Sequence, residues 1–133
     1  MTMQLAKQSI DLGIVTSNGD AMLSFYSDTL GLSQVAEIPF PGLGTIKKLA
    51  CGDSFLKLLT LDQPATTAPN KGGFTAAEGI RYCAITLANL DEVVEKCRGE
   101  GYKIVVEISD LRPGVRVAMV EDPDGNTLEL MGE

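Results

Sequence analysis

The feature that most constrains the fold is an internal repeat, because both halves of the chain present the same order of predicted elements. Each half opens with a segment in which apolar and polar residues alternate, at 9–16 and at 79–87. Such alternation is typical of half-buried strands. Each segment precedes a helix signal and three more strand candidates, at 33–38, 44–51 and 54–61 and at 102–108, 114–121 and 126–131. The sequence therefore predicts two β-α-β-β-β modules.

Both helices are predicted from apolar residues at helical spacing and from a candidate N-cap. Asn18 precedes the first helix, which should end at Gly31. Asn89 precedes the second helix and lies three residues before Glu92, as in a capping box. We therefore expect one amphipathic helix in each module.

The connection between the modules, residues 62–78, is rich in Pro, Gly, Thr and Ala and has no clear period. A chain of 133 residues is expected to form one domain. We predict a single α+β domain over 1–133, with module 1 at about 9–61 and module 2 at about 79–131. One helix covers only one face of each sheet, so the other face must meet the sister module or another chain, and we expect a homodimer.

Composition excludes several classes of function. There are 11 basic and 18 acidic residues, so the net charge is -7 and no basic footprint for nucleic acid is visible. No apolar run has the length of a membrane span, and the three cysteines are unevenly spaced, so we expect a cytoplasmic protein with reduced thiols and no membrane partner. The absence of histidine removes Ser-His-Asp catalysis. The acidic balance favours a cationic ligand.

Two motifs resemble those of a known family. They are FYSDTLGL, at 25–32, and DPDGNTLEL, at 122–130. With the repeated element order, they resemble the vicinal oxygen chelate superfamily, which includes glyoxalases, bleomycin-resistance proteins and extradiol dioxygenases. The resemblance implies two modules whose curved, mixed sheets form a cleft. From the residues themselves, we expect the first motif to supply helix core and 122–126 to form a turn.

The resemblance also implies four positions that bind a divalent metal in the family. They correspond here to Asp11, Lys57, Tyr82 and Glu129. Apolar residues flank Asp11, Lys57 and Glu129 within their predicted strands, so these charged side chains should point away from the buried face.

This set of residues does not resemble a metal site. Only Glu129 matches the usual ligand, and the Lys57 ammonium cannot ligate a cation, so we expect no divalent metal cofactor. Lys57 could instead neutralise the carboxylates of Asp11 and Glu129 in a poorly solvated cleft. These residues are equally consistent with a purely structural salt bridge that fills the cleft.

The prediction for function is a metal-independent, glyoxalase-like protein that binds a small organic molecule, for example to sequester a drug or toxic metabolite. The alternative is a lyase, isomerase or dioxygenase of the same superfamily, with Glu129 or Asp11 as base and Lys57 or Tyr82 as electrophile. A third reading is a structural or regulatory relic with a closed pocket. The sequence leaves open the ligand, the existence of a reaction, and whether one chain or a dimer builds the cleft. The predicted pocket residues are Asp11, Phe55, Lys57, Tyr82, Thr86 and Glu129.

Overall fold

The computed structural model describes all 133 residues and divides into two compact units, Met1–Ala65 and Thr66–Glu133. The first unit contains β1 Leu12–Thr16, α1 Gly19–Leu23, a π-helical turn Ser24–Thr29, β2 Ser33–Phe40, β3 Gly44–Cys51 and β4 Ser54–Leu61. The second contains β5 Tyr82–Thr86, α2 Leu90–Gly99, β6 Ile104–Arg112, β7 Val115–Glu121 and β8 Thr127–Gly132. Both units have the predicted element order, which confirms the α+β prediction.

Each unit is built on a mixed, four-stranded sheet. The strand order is β1-β4-β3-β2 in the first sheet and β5-β8-β7-β6 in the second. The first strand of each unit pairs in parallel with the last, and the other pairs are antiparallel. Strands β4 and β8 therefore lie inside their sheets, and these strands carry Lys57 and Glu129.

The core of the first unit lies between its sheet and the helical segment. Leu56 and Leu58 of β4 are buried on this face, whereas Lys57 between them points to the other face. Phe25 and Tyr26 are also buried, and their rings meet edge to face at 4.9 Å. The expected core role of the first motif is thus confirmed.

The backbone of that motif differs from the single α-helix that was predicted between Asn18 and Gly31. After Leu23 the helix widens into a π-helical turn, in which the Leu30 N–H donates to the Phe25 carbonyl at 3.0 Å. The Leu32 N–H closes the turn on the Tyr26 carbonyl, also at 3.0 Å. Between them lies Gly31 with φ of +86°, a conformation that favours glycine.

The core of the second unit forms where α2 packs on β6, β7 and β8. Leu90, Val94 and Cys97 are buried on one face of this helix, as its apolar spacing requires. Acidic side chains lie in its first turn and basic ones in its last, an arrangement that complements the helix dipole.

The predicted side-chain caps are wrong at both helices. Neither Asn18 nor Asn89 caps its helix through the side chain. Asn18 instead donates its backbone N–H to the Thr16 hydroxyl at 2.8 Å. The Asn89 amide donates to the Glu92 carboxylate at 3.2 Å, so these side chains bond to one another rather than to the backbone of the first turn.

The first strand of each unit starts later than predicted. β1 begins at Leu12, where its pairing with β4 begins, and Ile10 is 86% exposed. β5 begins at Tyr82, and Ile80 is likewise exposed. Asp11 therefore lies just before β1, and its carboxylate rather than its backbone contacts the neighbouring strand.

The predicted turn at 122–126 is confirmed. The Asp122 carboxylate accepts the backbone N–H groups of Asp124 and Asn126, each at 2.9 Å, and the Asn126 side-chain amide at 2.9 Å. Gly125 has φ of +86° and donates its N–H to the Asp122 carbonyl. The motif thus satisfies its own polar groups, which is the expected structural role.

The Arg81 side chain binds the segment that connects the two modules, a contact that the composition of the segment did not reveal. The Arg81 guanidinium donates to the carbonyls of Ala77 at 2.6 Å and Gly73 at 2.8 Å.

None of the helices combines the length and the apolar character that crossing a membrane requires.

Candidate functional site

In the first unit, three predicted site residues come together on the sheet face that the helix leaves open. The Asp11 carboxylate accepts the backbone N–H of Phe55 at 2.8 Å, which fixes it at the start of β4. Lys57, two residues further along β4, places its Nζ 4.0 Å from Asp11 Oδ2. Strand alternation positions Phe55 and Lys57 on the same face.

The tightest partner of Asp11 is a residue that the sequence did not single out. The Lys7 ammonium donates to Asp11 Oδ1 at 2.6 Å. This hydrogen bond, and then the one from Phe55, lower the pKa of the Asp11 carboxyl below its ordinary value. Asp11 is therefore a weak proton acceptor at neutral pH, which argues against its use as a general base.

Lys57 does not occupy the poorly solvated environment expected for it. Its side chain is 44% exposed and that of Asp11 is 27% exposed. An ion pair with this much solvent contributes little to stability. Within this unit, Lys57 and Asp11 therefore do not form a buried charge pair.

A second lysine also lies on this face and was missed. The Lys48 Nζ lies 4.0 Å from the centre of the Phe55 ring, and the Lys7 Nζ lies 4.6 Å from it. The position of Lys48 on the open face could have been predicted from the sequence. Its neighbour Leu49 belongs to the buried face of β3, and successive side chains of a strand point to opposite faces. No sequence signal marks Lys7, which precedes the first strand.

In the second unit, Tyr82, Thr86 and Glu129 share the sheet face that α2 leaves open. Tyr82 is 52% exposed, and its ring meets that of Phe74 edge to face at 6.1 Å. Glu129 is half-buried between Ala84 and Met119 on the neighbouring strands. The structure gives its carboxylate no ion pair or hydrogen bond.

An unsatisfied hydroxyl lies beside these residues. Thr127 pairs with Tyr82 across β5 and β8 and is only 3% exposed. Its Oγ1 has no hydrogen-bond partner, a state that costs about 1–3 kcal/mol for a buried polar group. Sequence patterns report which face a threonine occupies but not whether its hydroxyl is satisfied.

A cavity of about 390 Å³ opens elsewhere in the first unit. It lies beside the start of α1, on the helix-bearing face of the sheet. None of the six predicted site residues lines it; its walls include Ser17, Asp20, Glu37, Lys47, Thr60 and Asp62.

Comparison with known proteins decides the family. The family model of the Glyoxalase/Bleomycin resistance protein/Dioxygenase superfamily matches residues 9–130. The chain belongs to this superfamily. No curated protein matches its sequence.

Solved structures show the same superfamily fold. A glyoxalase family protein from Bacillus cereus is similar with a TM-score of 0.84 and 20% identity, over 98% of this chain and 96% of that one. An antibiotic binding protein from a Streptomyces species has a TM-score of 0.71 and 21% identity, over 97% and 98% of the two chains. The trypanothione-dependent glyoxalase I of Leishmania major has a TM-score of 0.71 and 22% identity, over 92% of this chain and 84% of that one.

The donor chemistry at the superfamily's metal positions does not fit a divalent ion. In the first unit, the Asp11 carboxylate is already engaged by Lys7 and Phe55, and the Lys57 ammonium would repel a dication. In the second unit, these positions offer one carboxylate, that of Glu129, and the phenol of Tyr82. No three acidic or thiol side chains gather in a group that could hold a metal.

Proposed function

We propose that this protein binds a small organic molecule without a metal ion, and that it sequesters a drug or toxic metabolite. The observation that carries the proposal is the pairing of Asp11 with Lys7 and Lys57, where relatives of the superfamily place metal ligands. The similarity to an antibiotic binding protein supports the same function. The residues proposed as ligand contacts lie on the open sheet face of each unit; they are Asp11, Phe55 and Lys57 on the first face and Tyr82, Thr86 and Glu129 on the second.

Binding is tested with N-phenyl-1-naphthylamine, a neutral dye whose fluorescence rises in apolar surroundings. We expect saturable binding that is unchanged by a chelator. Phe55→Ala and Tyr82→Ala should each weaken it by about 3–10-fold, since aromatic contacts contribute about 0.5–1.5 kcal/mol beyond area burial. Leu111→Ala is the control, because Leu111 is an exposed apolar residue of β6 outside the proposed site. Absence of saturable binding would refute the proposal.

Metal independence has its own measurement. Elemental analysis of the purified protein should find no stoichiometric Zn, Ni, Fe or Mn, and the chelator should leave the melting temperature unchanged. About one metal ion per chain that is lost on Glu129→Gln would show that the family's metal chemistry persists here.

We further propose that the protein forms a homodimer. Large apolar side chains are exposed along β2 and in the turn after it, as expected for an association surface. They are Val35, Ile38, Phe40 and Leu43. Light scattering should give twice the 14.1 kDa chain mass, and Phe40→Asp should lower the measured mass. A mass of one chain at micromolar concentration would exclude a stable dimer.

A cytoplasmic location remains a proposal as well. Cys51, Cys83 and Cys97 are all free thiols, a state that reducing compartments preserve. Cell fractionation should recover the protein with cytoplasmic markers, and its recovery outside the cytoplasm would contradict this.

A further inference from the structure

The open sheet face of the first unit carries three ammonium groups and one carboxylate. Lys7 and Lys48 lie against the Phe55 ring, and Lys57 lies 4.0 Å from Asp11. The local balance is therefore three positive charges against one negative, in a chain whose net charge is -7. We call this group, Lys7, Asp11, Lys48, Phe55 and Lys57, the lysine cluster.

Two of these lysines face each other directly. Lys48 of β3 and Lys57 of β4 are register partners, and like charges in directly opposite cross-strand positions are destabilising. Small residues flank the pair in the same row: Gly13 on β1 beside Lys57, and Ala36 on β2 beside Lys48. A Cβ built at Gly13 would meet no atom within 4 Å, so there is open space next to the lysines.

The carboxylate of Asp11 does not satisfy both lysines. Its Oδ1 is occupied by the Lys7 ammonium and the Phe55 N–H. Lys57 approaches Oδ2 only at the 4.0 Å limit, and Lys48 has no ion pair and contacts the Phe55 ring instead. Two neighbouring ammonium groups are thus left with incomplete counter-charge beside an aromatic surface.

We propose that Lys48 and Lys57 bind an anionic group of the ligand, a carboxylate or phosphate, while Phe55 packs against its apolar part. This inference rests on the proposed function and specifies the class of ligand. It reverses the expectation from composition, since the field beside Phe55 is positive although the chain is acidic. Contact with an anion would remove the repulsion between the two opposed lysines.

The test uses two dyes that differ by one anionic group. 8-Anilinonaphthalene-1-sulfonate carries a sulfonate, and N-phenyl-1-naphthylamine lacks it. The protein should bind the sulfonate at least 10-fold more tightly at low salt, and the preference should shrink as salt rises. The double variant Lys48→Met with Lys57→Met should bind both dyes with similar affinity.

Lys47→Met is the matched control, because Lys47 neighbours Lys48 on β3 but points to the helix-bearing face. It should keep the preference for the sulfonate. Equal affinity of the native protein for both dyes, or a preference that survives in the double variant, overturns the anion site and leaves the binding function standing.

A second measurement separates this inference from the proposed function. At equal ionic strength, inorganic phosphate and acetate should each raise the melting temperature of the native protein relative to chloride. Neither should raise the melting temperature of the double variant. The anion that gives the larger rise is the preferred one. Stabilisation by an oxyanion without binding of either dye would support the lysine cluster and refute the organic ligand. If neither dye binds and neither oxyanion stabilises, both proposals fail. Circular dichroism should show that the double variant is folded, because the two substitutions remove the repulsion between Lys48 and Lys57.

Discussion

The two units share one topology but present different chemistry on equivalent positions. Lys57 pairs with Gly13 in the first sheet, and Glu129 pairs with Ala84 in the second, so the same place on the inner strand carries opposite charges. Similarly, Phe55 corresponds to Thr127 at the start of these strands. The buried faces, in contrast, carry leucines in both units. The repeat thus constrains the backbone and the core, while the open faces are free to diverge in function.

The largest expected effect on stability concerns the buried cores, which should be equivalent in the two units. Leu58 and Leu130 occupy equivalent positions and are almost fully buried. Leu58→Ala and Leu130→Ala should each lower the free energy of unfolding by about 2–5 kcal/mol, through lost burial and the cavity that remains. Urea denaturation measures both. A loss below about 1 kcal/mol in one unit only would show that the two cores are not equivalent.

The next comparison concerns the turns before the last strands. Asp122 is buried and accepts three hydrogen bonds, whereas Asp53, in the corresponding turn of the first unit, is exposed and its carboxylate bonds to nothing. Asp122→Ala should cost about 1–3 kcal/mol, because it leaves one buried and two part-buried donors unpaired. Asp53→Ala should stay within about 0.5 kcal/mol. Similar losses in both variants would contradict the unequal roles of the two turns.

Replacing a buried threonine by valine should have a smaller effect, and it should change the free energy of unfolding in opposite directions in the two units. Thr16 and Thr127 are both buried, but Thr16 Oγ1 accepts the Asn18 N–H, and Thr127 Oγ1 has no partner. Thr127→Val should raise the free energy of unfolding by about 1 kcal/mol, and Thr16→Val should lower it by a similar amount. Thermal denaturation without added ligand measures both. Destabilisation by Thr127→Val would indicate that its hydroxyl bonds to water.

The fold could be predicted from the sequence because it follows from local, periodic signals. Alternation located the first strand of each unit, and turn signals, including the spacing of Asp, Pro and Gly at 122–126, separated the strands that follow. Neither pattern specifies hydrogen-bond geometry, so the π-helical turn at Ser24–Thr29 and the missing caps at Asn18 and Asn89 were not predicted.

The candidate site could be predicted only in part. Alternation placed Lys57 and Glu129 on the open faces, since their apolar neighbours require the buried face. The partner of Asp11 could not be foreseen, because Lys7 belongs to no regular element and its place is set by one ion pair and one ring contact. The exposure of Lys57 also escaped prediction, because alternation tells which face a residue occupies and not how much solvent reaches it.

The smallest expected effect tests the contact between Lys7 and Asp11 through its pH dependence. The pKa of Asp11 is lowered in the folded protein, so its contribution to stability is present above its ordinary value of 3.8 and is lost as pH falls from there through the folded value. The stability difference between the native protein and Asp11→Asn should therefore be constant near neutral pH and shrink below pH 3.8. Asp91 and Glu107 also have lowered pKa values, but they titrate in both proteins and cancel from the difference.

Tyr82, the equivalent residue of the second unit, offers no carboxylate, so the difference between the native protein and Tyr82→Phe should not change over this acidic range. A pH-independent difference for Asp11→Asn would mean that Lys7 does not hold Asp11 in solution, and the lysine cluster would then have one ammonium fewer.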